Sequence, residues 1–418
     1  MTQAPDINVR KPRIILLMQF YDPEPVYKGQ AFAEAIAKAG YEVEVVTGFP
    51  NYPGGKVYDG YRMRLINRSQ ENGIAITRLA LYPSRDKSKV GRVLNYVSFM
   101  LSAFFYLTIF ARRANLVYAY HPPLTVGLAA AAARIFRRNP VVVDIHDLWP
   151  DTLPATGMIS NPRILKTVEM ACNWMYRRVQ HIVLHSHGFR EELLKRGVPP
   201  EKMTTVIGWT HEPAKPAARL AVPENMKDLR GLKVLYAGNV GPAQALDSVL
   251  DAAHMLQSEG QDKTATFCIL GSGLALDALK DKVRSLGLGN VVFLPRVPLT
   301  EVEAYLAAAD VLLIHLRDTP LFALNIPSKA QAYMLATKPI LMGVRGEAEK
   351  LLTDAQAGVS VPPENPRAMA DAVLSLAAMP LDERDKLGEN ACTYYWRELC
   401  MEKGMAKFMA VFDKIRHP

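Results

Sequence analysis

Short, almost purely apolar runs recur along the chain, each followed by a stretch of helix-forming composition. Arg13–Gln19 (RIILLMQ), Tyr41–Thr47 (YEVEVVT), Ile74–Leu81, Asn115–Tyr120 (NLVYAY), Pro140–Ile145 (PVVVDI), Gln180–His185 and Lys202–Ile207 form a first series. A strand that is apolar on both faces must be covered on both faces, as in a parallel sheet between two layers of helices. Strand and helix in alternation therefore predict βαβ units and a doubly wound sheet. The series pauses at a proline-rich passage, Pro213–Pro223, which reads as a linker. It restarts with Leu232–Tyr236, Thr266–Leu270, Val291–Leu294, Val311–His315 and Ile340–Met342. Two series in 418 residues imply two α/β domains. We assign 1–213 to the first and 214–394 to the second. The C-terminal helix, 395–418, completes the first domain as the end of one long helix from near Asn390 to Ile415.

Ligands of open parallel sheets bind beyond the carboxyl ends of the strands. The first such turn, Phe20–Gly29, lacks the GxGxxG fingerprint, so it is not of the dinucleotide-binding kind. Polar residues at the other strand ends are the candidates. In the first half they are His121 and the segment His146-Asp147-Leu148-Trp149-Pro150-Asp151. In the second half they are the loop Ala237–Gly241, Gly271-Ser272-Gly273 and Arg296. The stretch Asn325–Met342 (NIPSKAQAYMLATKPILM) predicts a short helix over Ala330–Ala336, capped by Ser328 with Gln331 as its capping-box partner. Lys329 in the first turn opposes the helix dipole unless an anion sits there. From these residues alone, a phosphate site and an ordinary capped helix with Lys329 in water account for the stretch equally.

The net charge of +9 suits an anionic partner: a phosphorylated substrate, an anionic membrane or a nucleic acid. No nucleic-acid-binding motif accompanies the charge, so no nucleic acid is expected. The four cysteines lie far apart with no CxxC, which fits a reducing cytoplasm rather than a disulfide framework or a zinc site. No apolar run precedes Ile14, so no signal peptide is expected. One run stands apart. Val93–Ala111 is nearly uncharged and rich in aromatics, with the basic stretch Ser84–Arg92 before it and Arg112-Arg113 after it. A bilayer span, a helix lying on a membrane surface and a buried core helix all satisfy it; the basic flanks favour the surface helix.

YAGNVG, GSG, FLPRV, IPSKAQAYM with KPIL, and AGVSVPP occur in the order and spacing of the C-terminal half of GT-B glycosyltransferases of family four. With DIHDLWPD and LVYAYHPPLTVG, the chain resembles the WbuB-like branch, which builds bacterial surface polysaccharides. The resemblance implies two facing Rossmann-like domains with a cleft between them. It further implies retaining, metal-independent transfer from a nucleotide-diphosphate sugar, with UDP the expected nucleotide and an N-acetylamino sugar fitting the branch. No cofactor is expected. The acceptor would be lipid-linked, on a polyprenyl diphosphate, at the inner face of the plasma membrane, with the protein cytoplasmic and peripherally attached. Donor contacts are expected from Gly238, Asn239, Gly241, Arg296, Ser328, Lys329 and Glu347. His121 would touch the donor sugar near the reacting carbon. Asp147 would orient the acceptor or take its proton, with Trp149 and Asp151 on the acceptor side. Two glutamates usual in the family are replaced here by Leu324 and Ala332, and its basic pair after the first strand of the second domain by Asn239 and Gln244. That departure leaves a second reading, a binding or assembly protein on the same scaffold without turnover.

Overall fold

The computed structural model describes residues 11–26, 28–84, 89–155, 157–212 and 220–416, with the backbone alone at Lys89. The leader Met1–Arg10, most of the basic stretch before the apolar run and the body of the proline-rich linker lie outside the described residues. The chain divides into two compact units. The first takes the chain to His185, then Arg190–Val206 and the end from Met405; the second takes Ser186–Phe189 and Ile207–Gly404. The exchange between units thus falls at Val206, not 213, and residues 395–404 stay with the second.

The first unit holds eight strands: β1 (Arg13–Leu17), β2 (Glu42–Gly48), β3 (Ile66–Glu71), β4 (Ile74–Leu79), β5 (Leu116–His121), β6 (Val141–Ile145), β7 (His181–Leu184) and β8 (Met203–Thr205). Their order in the sheet is β3-β4-β2-β1-β5-β6-β7-β8, and all pairs are parallel except β3 with β4. β3 escapes the apolar-run criterion because its residues, INRSQE, are polar and largely exposed. It is held by a tight hairpin, Asn72-Gly73, with φ of 49° and 81° at the two turn residues. Only Asn, Asp and Gly adopt such values readily.

The second unit holds β9 (Leu232–Asn239), β10 (Ala265–Ser272), β11 (Val291–Leu294), β12 (Val311–His315), β13 (Ile340–Gly343) and β14 (Gly358–Ser360), in the order β11-β10-β9-β12-β13-β14, all parallel. Alternation along the strands splits its core in two, since successive side chains leave a strand on opposite faces. Leu235, Cys268, Leu312, Ile314 and Ile340 enter one cluster; Val234, Tyr236, Phe267, Ile269 and Leu313 enter the other.

The expected single terminal helix is two, Leu381–Tyr394 and Met401–Arg416, separated by a π-helical turn and by Cys400 in extended conformation (φ −61°, ψ 158°). The last helix belongs to the first unit, where Phe408 packs on Phe32 and Tyr118 at ring-centroid distances of 5.4 and 5.9 Å. The apolar run forms a helix over Lys89–Phe105 that continues as a π-helix over Tyr106–Phe110.

Candidate active site

In the second unit the chain runs from β9 outward through β10 to β11, then crosses to β12 on the other side of β9. Strand order therefore reverses between β9 and β12, which makes their carboxyl ends a topological switch point. The strands part there. β12 pairs with β9 only at Val234 and Leu235, whereas β10 follows β9 to Asn239. The Tyr333 hydroxyl takes the Ala237 N–H at 2.8 Å, and beyond it Gly238 and Asn239 are exposed.

Lys329 comes to this opening from the start of the Lys329–Leu335 helix. Its Nζ is buried, stands 3.7 Å from the centroid of the Tyr236 ring, and has no hydrogen-bond partner among the described residues. Burial pushes the ammonium down from 10.5 to about 7. The ring face attracts a cation by about 2 kcal/mol when both are desolvated, less than burial of an unpaired charge costs. The site is built for an anion that would restore the charge. A Cβ on Gly238 would come within 3.4 Å of this amine, and one on its register partner Gly271 within 1.9 Å of Gly238 O. With φ of 141° and 144°, both positions also demand glycine.

The other expected donor contacts divide. Gly238 and Asn239 belong to β9 rather than to a loop, and Gly241 opens a 3-10 turn, Pro242–Gln244. Gln244 Oε1 accepts from Gly241 N at 2.9 Å and from Asn239 Nδ2 at 3.4 Å, so the two residues in place of the basic pair close on each other. Ser328 does not cap the helix. It is exposed, has α-helical dihedrals (φ −57°, ψ −20°) and makes no capping hydrogen bond. Ala330 N bonds Pro327 O instead, at 2.8 Å. Gln331 is buried with neither amide atom bonded, so the capping box is absent. Arg296 is exposed after β11, on the far side of β10 from the β9–β12 opening, and is not brought to Lys329. Glu347 is the first residue of the Glu347–Ala355 helix, and its carboxylate accepts from His187 N at 2.9 Å.

In the first unit the strand order reverses between β1 and β5. His121 ends β5 beside that point, fully buried, with neither ring nitrogen bonded to another described residue. Burial pushes its pKa down to about 3, so the ring is neutral and can accept or donate one hydrogen bond. Trp149 stands edge-on to it at 6.2 Å, with its own Nε1 buried and unpartnered. Burial raises the Asp147 carboxyl, with His146 opposing. Asp151 is not free for an acceptor. Arg196 holds its carboxylate at 2.6 Å and Trp149 O at 2.9 Å, which fixes the loop.

A buried polar cluster here was not among the expected site residues. Asp144 accepts from Lys28 and from the Tyr118 hydroxyl, and His146 Nε2 stands 3.3 Å from both Asp144 Oδ1 and Lys28 Nζ. Burial would raise Asp144, but Lys28 and His146 outweigh it and hold the carboxyl well below its ordinary range. Asp144 and His146 are two residues apart along an extended chain, so they project to one side. The signal was present in the sequence: a carboxylate inside PVVVDI has no place in a strand buried on both faces unless it is paired.

Two family profiles cover most of the chain. The first, "Glycosyl transferase 4-like domain", matches residues 30–209, and the second, "Glycosyl transferases group 1", matches residues 231–379. The chain belongs to the family-four GT-B glycosyltransferases. This glycosyltransferase is similar to the "Probable glycosyltransferase WbjE" of Pseudomonas aeruginosa, 27% identical over 66% of this chain and 69% of that one. It is similar also to the "Putative colanic acid biosynthesis glycosyl transferase WcaI" of Escherichia coli, 26% identical over 69% and 73%. Among solved structures, HepE of Anabaena in complex with UDP-glucose shares the fold, with a TM-score of 0.65 at 15% identity over 96% of this chain and 99% of that one.

Proposed function

We propose that this glycosyltransferase moves a sugar, with retention at the anomeric carbon, from a UDP-linked donor to a polyprenyl-diphosphate-linked acceptor in bacterial surface-polysaccharide assembly. The observation that carries the donor half is the buried, unpartnered Lys329 amine at the β9–β12 switch point. A departing nucleoside diphosphate gains charge in the transition state, and a preorganised cation in a dry site stabilises that charge far better than water does. Lys329 supplies the cation from the neighbouring helix, in a chain whose β9 turn carries Asn239 and Gln244 in place of a basic pair. The neutral His121 ring binds a sugar hydroxyl. The Asp147 carboxyl and the His146 ring bind the acceptor. The polysaccharide setting is supported by the likeness to WcaI, and the UDP donor by the fold shared with HepE, which was solved with UDP-glucose. The protein works at the cytoplasmic face of the plasma membrane, attached peripherally, where such an acceptor is presented.

The test is transfer by the purified full chain from a panel of UDP- and GDP-sugars to a polyprenyl-diphosphate sugar, with the product's anomeric configuration read by NMR. Turnover with retention on a UDP donor is expected, unchanged by a chelator. Ala332 packs partly buried against the core, and Leu324 stands where the other family glutamate would be. UDP binding without any turnover would therefore favour the second reading, a binding protein on this scaffold.

A further inference from the structure

The helix that begins at Lys89 and ends at Phe110 has two faces of different chemistry. One face is bonded to the first unit. Asn95 receives a hydrogen bond from Gln19 Nε2 at 2.6 Å and donates to Asn51 Oδ1 at 3.1 Å and Tyr82 O at 2.7 Å. Ser102 donates to Ala80 O at 2.7 Å, and the Tyr106 hydroxyl donates to Glu44. Phe99, Ala103 and Leu107 are buried on the same side. The other face is apolar and bare. Leu94, Leu101, Phe105 and Ile109 are 47%, 49%, 52% and 61% exposed, at the spacing of one helical stripe. The helix Leu124–Arg137 widens the stripe at its end, where Ile135 and Phe136 are 50% and 65% exposed and Phe136 packs edge-on to Phe104 at 6.0 Å. Arg112, Arg113 and Arg138 are exposed beside it.

An apolar surface of this extent in water marks a partner. The charge identifies it. The first unit carries 30 Lys and Arg against 17 Asp and Glu, the second 20 against 24, so the whole positive excess lies on the unit that bears the stripe. We propose that the first unit docks on an anionic lipid bilayer through this stripe, with the helix lying in the plane of the interface. The helix is long and apolar enough to cross a membrane, with 28% of its most apolar stretch buried. Crossing would strip Asn95, Ser102 and Tyr106 of their partners and leave those polar groups in hydrocarbon. Lying flat keeps every one of these bonds, buries the bare face and brings the arginines to the headgroups. The proposal deepens the lipid-acceptor reading by naming the surface that meets the membrane.

The test is co-sedimentation of the full chain with phosphatidylcholine vesicles, with and without phosphatidylglycerol. Binding to the anionic vesicles is expected, weakened about tenfold or more at high salt because the headgroup attraction is screened. Leu101→Ser with Ile109→Ser, and Arg112→Gln with Arg113→Gln and Arg138→Gln, should each lower vesicle affinity about tenfold or more while thermal melting is unchanged. These side chains are exposed, so folding does not depend on them. Binding unchanged in both variants overturns the proposal. So does resistance to alkaline extraction, which would mean crossing, or concentration-dependent self-association without vesicle binding, which would mean that a second copy covers the stripe. Transfer to a water-soluble short-prenyl acceptor separates the two readings: if it persists while vesicle binding fails, only the docking surface is lost.

Discussion

Replacing Lys329 by methionine keeps the length of the side chain and removes the charge. In the empty site burial lowers this ammonium from 10.5 to about 7. At about 1.4 kcal/mol per unit, the penalty has a ceiling of about 5 kcal/mol. The folded pKa lies below the unfolded one, so between about pH 7 and 10.5 the unfolded chain binds more protons and the penalty eases as pH rises. Lys329→Met should therefore melt higher than the parent at pH 6, and the gap should narrow as pH rises through this window. Ligand binding reverses the preference. A diphosphate beside Nζ raises its pKa, so above about pH 7 binding takes up a proton. Affinity for a UDP-sugar, whose diphosphate is fully ionised over this range, should be flat below about pH 7 and fall by up to tenfold per unit above it. Lys329→Met should lose that slope and bind about 10- to 150-fold more weakly at pH 7, the worth of a hydrogen bond to a charged group. Isothermal titration calorimetry in buffers of different ionisation heat reads both the affinity and the proton. An equal slope in parent and variant, or a flat profile in the parent, refutes the reasoning.

His121→Leu removes a buried ring whose two nitrogens have no partner, so the melting temperature should hold or rise while kcat for transfer falls at least tenfold; a stable variant with full kcat would take His121 out of the site. Asp144→Asn leaves Lys28 buried beside a neutral amide and should cost about 3–5 kcal/mol in denaturant unfolding. Because the Asp144 carboxyl is depressed, its contribution is present above the ordinary carboxylate pKa and is lost as pH falls through the depressed one, so the variant should show a flatter acid limb. Asp151→Ala should cost at most about 1 kcal/mol, since Asp151 is a partly exposed partner of Arg196, and should leave the acceptor KM unchanged. Gly271→Ala sets a Cβ 1.9 Å from a main-chain oxygen at φ 144°, and should lower both the melting temperature and UDP-sugar affinity.

The two sheets were legible because a parallel strand covered on both faces writes an uninterrupted apolar run, and β9, β11, β12 and β13 each did so. β3 was not, because one edge strand of polar residues has no such signature; its Asn72-Gly73 turn was the only trace. The break at Cys400 was hidden because helix formers continue on both sides of it. Lys329 was legible as a candidate, but for an incomplete reason. Sequence rules gave it a helix dipole and a serine cap, whereas the fold gives it a short uncapped helix and the face of Tyr236. Asp151 and Trp149 looked alike in DLWPD, and only tertiary contact separates the residue clamped by Arg196 from the one whose Nε1 is left open. Lys28 gave no local signal, since its partner Asp144 is 116 residues away.

A structure of the full chain with an intact UDP-sugar bound is the most direct trial of the central claim. The account predicts a diphosphate oxygen within hydrogen-bonding distance of Lys329 Nζ, over the Tyr236 ring and against Gly238. A diphosphate seated elsewhere, with the amine still unpartnered on its ring, would contradict it.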